Sequence, residues 1–133
     1  MSDSILLVED TPLDAELTQL ALFRCGIAGP VIHAQNGQIA LDILERLSAP
    51  GPWARLALIL LDVRMPLLNG FDVLKHIRAA PYLQDVPVVV LTSVPIEADR
   101  MRAGLLGAAA YMSKAAGIDD FCHLLDLTLQ PLI

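Results

Sequence analysis

Apolar runs that end on polar side chains punctuate this chain. Ile5-Leu6-Leu7-Val8 ends on Glu9-Asp10, Leu56-Ala57-Leu58-Ile59-Leu60-Leu61 on Asp62, and Val88-Val89-Val90-Leu91 on Thr92-Ser93. Val31 to Ala34 is a shorter run, and Ala109-Ala110-Tyr111-Met112 a weaker one that ends near Lys114. A continuous run such as Leu56 to Leu61, bounded by Pro66 and the turn residues Asn69-Gly70, reads as a strand buried on both faces. Between the strands lie helical patterns. Thr11 suits an N-cap, Pro12 the first helical position and Asp14 the acidic third position; Leu13, Leu17, Leu20, Ala21 and Cys25 then recur at helical spacing before Gly26. Asn36-Gly37 breaks the second strand, and Ala40, Ile43, Leu44 and Leu47 mark a buried stripe. Ala49-Pro50-Gly51-Pro52 is the clearest loop. Asn69-Gly70 turns into a third helix with Val73, Leu74 and Ile77 inward and Pro81 beyond its end. Pro95 starts a fourth, with Ala98, Met101 and Leu105 on one face; Phe121, Leu124, Leu125, Thr128 and Leu129 define a fifth, closing near Pro131.

Five β/α units in a row predict an α/β fold with right-handed crossovers and helices on both faces of a parallel sheet. The doubly wound, flavodoxin-like strand order 2-1-3-4-5 makes strands 1 and 3 neighbours at the switch point. Glu9, Asp10 and Asp62 then converge at one end of the sheet, and Thr92 and Lys114 reach the same rim.

Length and composition narrow the partners. The 133 residues suit one domain, with no repeat and no linker to a second. A hydrophobic content of 55% and a mean hydropathy of +0.57 fill a core and leave apolar surface for a partner; Leu127, Leu132 and Ile133 are candidates for core or for a dimer face. No apolar run approaches the roughly 20 residues that span a bilayer, and Met1-Ser2-Asp3-Ser4 carries no signal-like leader. The net charge of -6, without a basic tract, argues against nucleic-acid binding. Cys25 and Cys122 read as free cytosolic thiols, and His33, His76 and His123, scattered without ligand spacing, as surface or packing residues.

Three clustered carboxylates must be separated, protonated or neutralised by a cation. Mg2+ takes oxygen ligands, and a carboxylate beside it can attack a phosphoryl group. An ammonium and a hydroxyl then stabilise the charge spread over the phosphoryl oxygens, which gives Asp62, Lys114 and Thr92 the roles of nucleophile, ammonium and hydroxyl.

The matching pieces Leu7-Val8-Glu9-Asp10, Leu61-Asp62-Val63-Arg64-Met65-Pro66, Asn69-Gly70, Leu91-Thr92-Ser93 and Gly107 to Lys114 stand in the order and spacing of one family. Over nearly its whole length the chain resembles the receiver domain of two-component response regulators. The resemblance implies that Asp62 is the phosphoacceptor. It makes Asp10 the direct metal ligand of the first acidic pair, with Glu9 acting through water and the Arg64 carbonyl as a further ligand. Thr92 becomes the switch hydroxyl, Lys114 the phosphoryl-contacting lysine and Tyr111 the switch aromatic. One departure is Ala115, where the family has proline after a cis peptide; a cis bond to a non-proline residue costs about 3 kcal/mol. The opening Leu7 to Asp14, the loop through Pro50 and Pro52 and the form Ala110 to Lys114 resemble single-domain regulators that partner phytochrome-type histidine kinases. That implies a light-sensing kinase as donor and a homodimer through the fourth helix, fifth strand and fifth helix; the missing leader and the two cysteines read as free thiols give the expectation of a cytoplasmic location.

Such a chain catalyses only its own phosphorylation and dephosphorylation. Because the sequence ends with the fifth helix, its output is expected to be a protein contact, a relay step or a phosphoryl sink. A haloacid-dehalogenase-like phosphatase, which also uses an Asp nucleophile, needs a second Asp where Arg64 stands. A nucleotide-binding domain lacks both glycine-rich fingerprints. A phosphorylation-independent interaction module of the same fold draws support only from Ala115.

Overall fold

The computed structural model describes residues 4–27, 29–47, 55–65 and 68–129. β1 (Ser4–Val8), β2 (Val31–Ala34), β3 (Leu56–Asp62), β4 (Val88–Thr92) and β5 (Ala110–Ser113) form one parallel sheet in the order β2-β1-β3-β4-β5. The helices are α1 (Pro12–Arg24), α2 (Gly37–Leu47), α3 (Gly70–Ala79), α4 (Glu97–Leu105) and α5 (Ile118–Leu129), with a short 3-10 turn at Pro81–Leu83. The α/β architecture and strand order read from the sequence are the ones observed.

Successive strand residues point to opposite faces, so a run apolar at every position supplies two cores. Leu6, Val8, Ile59, Leu61, Val88 and Val90 pack under α2, α3 and Ala103 of α4. Ile5, Leu7, Leu58, Leu60, Val89 and Leu91 pack under α1 and α5 through Ala15, Leu22, Phe121 and Leu125.

The register aligns the strand ends. Val8 pairs with Leu61, so Glu9 and Asp62 are the next residues on adjacent strands. Asp62 pairs with Leu91 and Thr92 with Ser113, which puts Thr92 and Lys114 one step further along the same rim. Gly70 allows α3 to start against this rim. Its N–H donates to the Val63 carbonyl at 3.2 Å, and a Cβ there would lie 2.7 Å from the Val63 Cα. The Asn69 side chain caps α3 by accepting from the Asp72 N–H at 3.1 Å.

Three sequence expectations need correction, and α1 takes an orientation that its helical spacing left open. Leu13, Leu17 and Leu20 face outward, with Leu13 62% exposed, because α1 meets the sheet through Ala15 and Leu22 instead. Thr11 is the N-cap residue but makes no side-chain cap bond. α4 begins at Glu97 rather than Pro95, and Ala98, Met101 and Leu105 point away from the core. Cys25 and Cys122 are not free thiols; they are disulfide-bonded, with Cα atoms 5.1 Å apart. A separation of 97 residues hides this proximity, which arises because α1 and α5 pack side by side on one sheet face. Pro50, Pro52, Pro66, Pro131, Leu132 and Ile133 lie outside the described residues.

The disulfide closes a long loop, so Cys122→Ser is expected to lose roughly 2–4 kcal/mol in urea unfolding under non-reducing conditions. A thiol titration of the unreduced, unfolded chain should find none. Equal stability of variant and wild type, or two titratable thiols, would contradict the bond.

Candidate functional site

Lys114 is carried to the rim by β5, and its N–H donates to the Thr92 carbonyl at 2.7 Å. Its Nζ lies 2.6 Å from Glu9 Oε2, 3.0 Å from Asp14 Oδ2 and 3.4 Å from Asp62 Oδ2. Glu9 and Asp62 are buried, at 1% and 4% exposure. Glu9 Oε1 also accepts the Thr11 N–H at 3.1 Å, and Asp62 Oδ1 accepts the Arg64 N–H at 3.1 Å. Glu9, Asp10 and Asp62 each place a carboxylate oxygen within 4.8 Å of the others.

Negative charge is in excess here. Burial raises the Asp62 carboxyl above the ordinary Asp value, against the Arg64 N–H bond and the field of Lys114. Burial likewise raises Glu9, helped by the Asp62 charge and opposed by the Lys114 and Thr11 bonds. For Lys114, burial works against the charged form, but the bonds to Glu9 and Asp14 and the Asp62 field outweigh it and lift the ammonium well above its ordinary value. The lysine is therefore charged throughout the physiological range. The donor set fits a hard divalent cation: it is made of oxygens, it is anionic, and one ammonium faces Glu9, Asp14 and Asp62 together.

Thr92 and Tyr111 sit on the α4 side of this cluster. Thr92 is fully buried, and its Oγ accepts the Val94 N–H at 3.2 Å and lies 3.2 Å from the Val94 carbonyl oxygen. The Tyr111 hydroxyl accepts the Ile96 N–H at 3.2 Å, at the start of α4. The structure thus brings Glu9, Asp10, Asp62 and Lys114 together and places Thr92 and Tyr111 along the neighbouring β4–α4 loop. No cis peptide occurs among the described residues, so the Lys114–Ala115 bond is trans, and Lys114 still reaches Asp62.

Sequence reading missed three participants. Asp14, taken as a helix-end charge, pairs with Lys114; its position in the first turn after β1 was the available signal. His33 Nε2 lies 2.8 Å from the Glu9 carbonyl oxygen. The Arg64 guanidinium pairs with Asp99 in the first turn of α4, a contact across 35 residues with no local signature.

Fold and site together define a doubly wound α/β domain with an acidic, lysine-bridged rim at its switch point. The response regulator receiver domain family matches residues 5–126, and the chain belongs to that family. It is 34% identical to response regulator Rcp1 of Synechocystis over 116 residues, covering 87% of this chain and 79% of that protein. It is 36% identical to the probable methanogenesis regulatory protein FilR2 of Methanothrix harundinacea, over 87% of this chain and 74% of that protein. Among solved structures it is similar to the bacteriophytochrome response regulator RtBRR, with a TM-score of 0.84 and 37% identity over 100% of this chain and 81% of that one. It is also similar to Mn2+-bound Rcp1, with a TM-score of 0.78 and 30% identity over 98% and 97% of the two chains.

The raised carboxyls give a signed prediction. A group that binds its proton more tightly in the folded state favours folding most at acid pH, and this contribution is lost as pH rises through the raised value. Asp62→Asn removes one such charge, and is expected to raise stability at pH 7 by on the order of 1 kcal/mol. The gain should shrink as pH falls through the raised Asp62 value and vanish below the ordinary 3.8. Denaturant unfolding of both proteins across pH checks this; a variant no more stable than wild type at pH 7 contradicts it.

Proposed function

We propose that this receiver domain accepts a phosphoryl group on Asp62 from a histidine kinase. The observation that carries the reading is the Lys114 ammonium set between the buried Glu9 and Asp62 carboxylates at the end of β3. In the transfer, an Asp62 oxygen attacks phosphorus and the new O–P bond forms as the donor's P–N bond breaks. The electron pair stays on the imidazole nitrogen. Lys114 faces the phosphoryl oxygens with its fixed charge. Glu9, Asp10, Asp62 and the Arg64 carbonyl are the groups to hold Mg2+, which when bound neutralises charge on the carboxylates and the phosphoryl oxygens. Water returns the carboxylate, so the chain catalyses its own phosphorylation and dephosphorylation and has no separate substrate.

Signalling follows from the groups on the α4 side. The Thr92 hydroxyl exchanges its Val94 partners for a phosphoryl oxygen, and Tyr111 gives up Ile96. A pre-existing equilibrium of the β4–α4 region shifts accordingly. The likeness to the bacteriophytochrome response regulator RtBRR supports a phytochrome-type kinase as the donor. The outward Leu13, Leu17, Leu20 and Phe23 of α1 give that protein contact an apolar face. The outward Met101 and Leu105, 61% and 87% exposed, support a homodimer through α4, β5 and α5. Among the described residues no helix is long and apolar enough to cross a membrane. The net charge of -6 supports a partner other than nucleic acid.

Incubation with a small phosphodonor should add one phosphoryl mass to wild type with Mg2+ and none to Asp62→Asn or without the cation. Light scattering of the same samples should find the dimer. Equal incorporation by Asp62→Asn would refute the acceptor, and a monomer mass at every concentration would refute the dimer.

A further inference from the structure

α4 is the helix that the core holds least. Ala103 is its one fully buried position among the described residues, whereas α3 buries Gly70, Phe71, Val73, Leu74 and Ile77. Few buried contacts leave polar ties to decide where such an element sits. The Tyr111 hydroxyl holds the Ile96 backbone, and the Arg102 guanidinium lies 4.3 Å over the Phe71 ring of α3. A further tie, from Asp99 to the Arg64 guanidinium, alone among these reaches back to a residue that touches Asp62. Arg64 contacts Asp62 through its own N–H, at 3.1 Å, and contacts α4 through its side chain. The Asp99 side chain is only 15% exposed, so this pair is better shielded from water than the neighbouring Arg100–Glu97 pair.

We propose that Asp99 is a positioning residue for the Asp62 site: it parks the Arg64 guanidinium on α4, and a phosphoryl group on Asp62 competes with it for that guanidinium. The inference rests on Asp62 being the phosphoacceptor. A phosphoryl group carries up to about -2 charge and several acceptor oxygens, and guanidinium binds such groups bidentately. Asp99 offers a single carboxylate. The arginine side chain starts from an amide already bonded to Asp62, so the two anions draw one cation in two directions. When the phosphoryl group wins, α4 loses the tie that connects its first turn to the acidic rim. With Asp99 removed, the guanidinium is free to meet an anionic donor before transfer.

A double-mutant cycle tests this, read as the rate of Mg2+-dependent phosphorylation by phosphoramidate. Asp99→Asn should speed the reaction about threefold or more, the lower range for coupled neighbouring charges. Arg64→Gln should slow it, and the double variant should match Arg64→Gln alone. Asp99→Glu should restore the wild-type rate, which separates positioning from general damage to the fold. Amide exchange supplies a second reading: protection in the first turn of α4 should fall on phosphorylation in wild type, and should already be low in unphosphorylated Asp99→Asn. If Asp99→Asn matches wild type, or speeds the reaction equally with and without Arg64, the positioning role is overturned while the phosphoacceptor reading stands. If wild type takes no phosphate with Mg2+, both are overturned.

Discussion

The structure is organised around a shortage of positive charge at one end of its sheet. Lys114 Nζ contacts Glu9, Asp14 and Asp62, which come from the end of β1, from α1 and from β3. Asp10 stands beside them. Two of these carboxylates are nearly sealed from water, so a single ammonium cannot relieve them all. Burial raises the Glu9 and Asp62 carboxyls, while the bonds to Glu9 and Asp14 and the field of Asp62 raise the Lys114 ammonium against its own burial. A cation or a change of charge on Asp62 therefore acts on the whole rim.

The fold produces this crowding through register rather than through any local motif. Parallel strands with continuous apolar runs are covered on both faces and pair so that their polar ends coincide. Gly70 then lets α3 begin against the backbone of β3, close under Asp62. The remaining contacts lead from the rim toward α4. Thr92 is held in its own loop, Tyr111 on Ile96, and Arg64 on Asp99. α4 has the weakest hold on the core, and its polar ties run through Arg64 and Tyr111 rather than to the cluster itself, so little packing fixes its place relative to the rim.

Much of the fold and of the site is legible in the sequence, for identifiable reasons. The strand ends at Val8, Asp62 and Thr92 can be read because apolar runs stop abruptly there, and Asn69-Gly70 announces α3 by its cap. The orientation of α1 is hidden because leucines line the outer side as well, so spacing alone does not say which stripe is buried. The start of α4 is hidden because Pro95 suits a first helical position that Glu97 in fact fills. The Cys25–Cys122 bond and the Arg64–Asp99 pair depend on distant segments meeting and no local pattern encodes them, while the Asp14–Lys114 pair has only the place of Asp14 just after β1 to suggest it. Ala115 draws attention in the sequence, yet the lysine before it reaches the acidic cluster across a trans peptide.

The central claim is that the Glu9, Asp10 and Asp62 cluster is a cation site whose charge excess destabilises the empty fold. Titration of unfolding stability with Mg2+ measures this directly, because a ligand that binds only the folded chain stabilises it in proportion to its occupancy. The account predicts that wild-type stability climbs with Mg2+ and that Asp10→Asn sharply weakens the dependence. A wild-type stability that does not move across the Mg2+ range would contradict it.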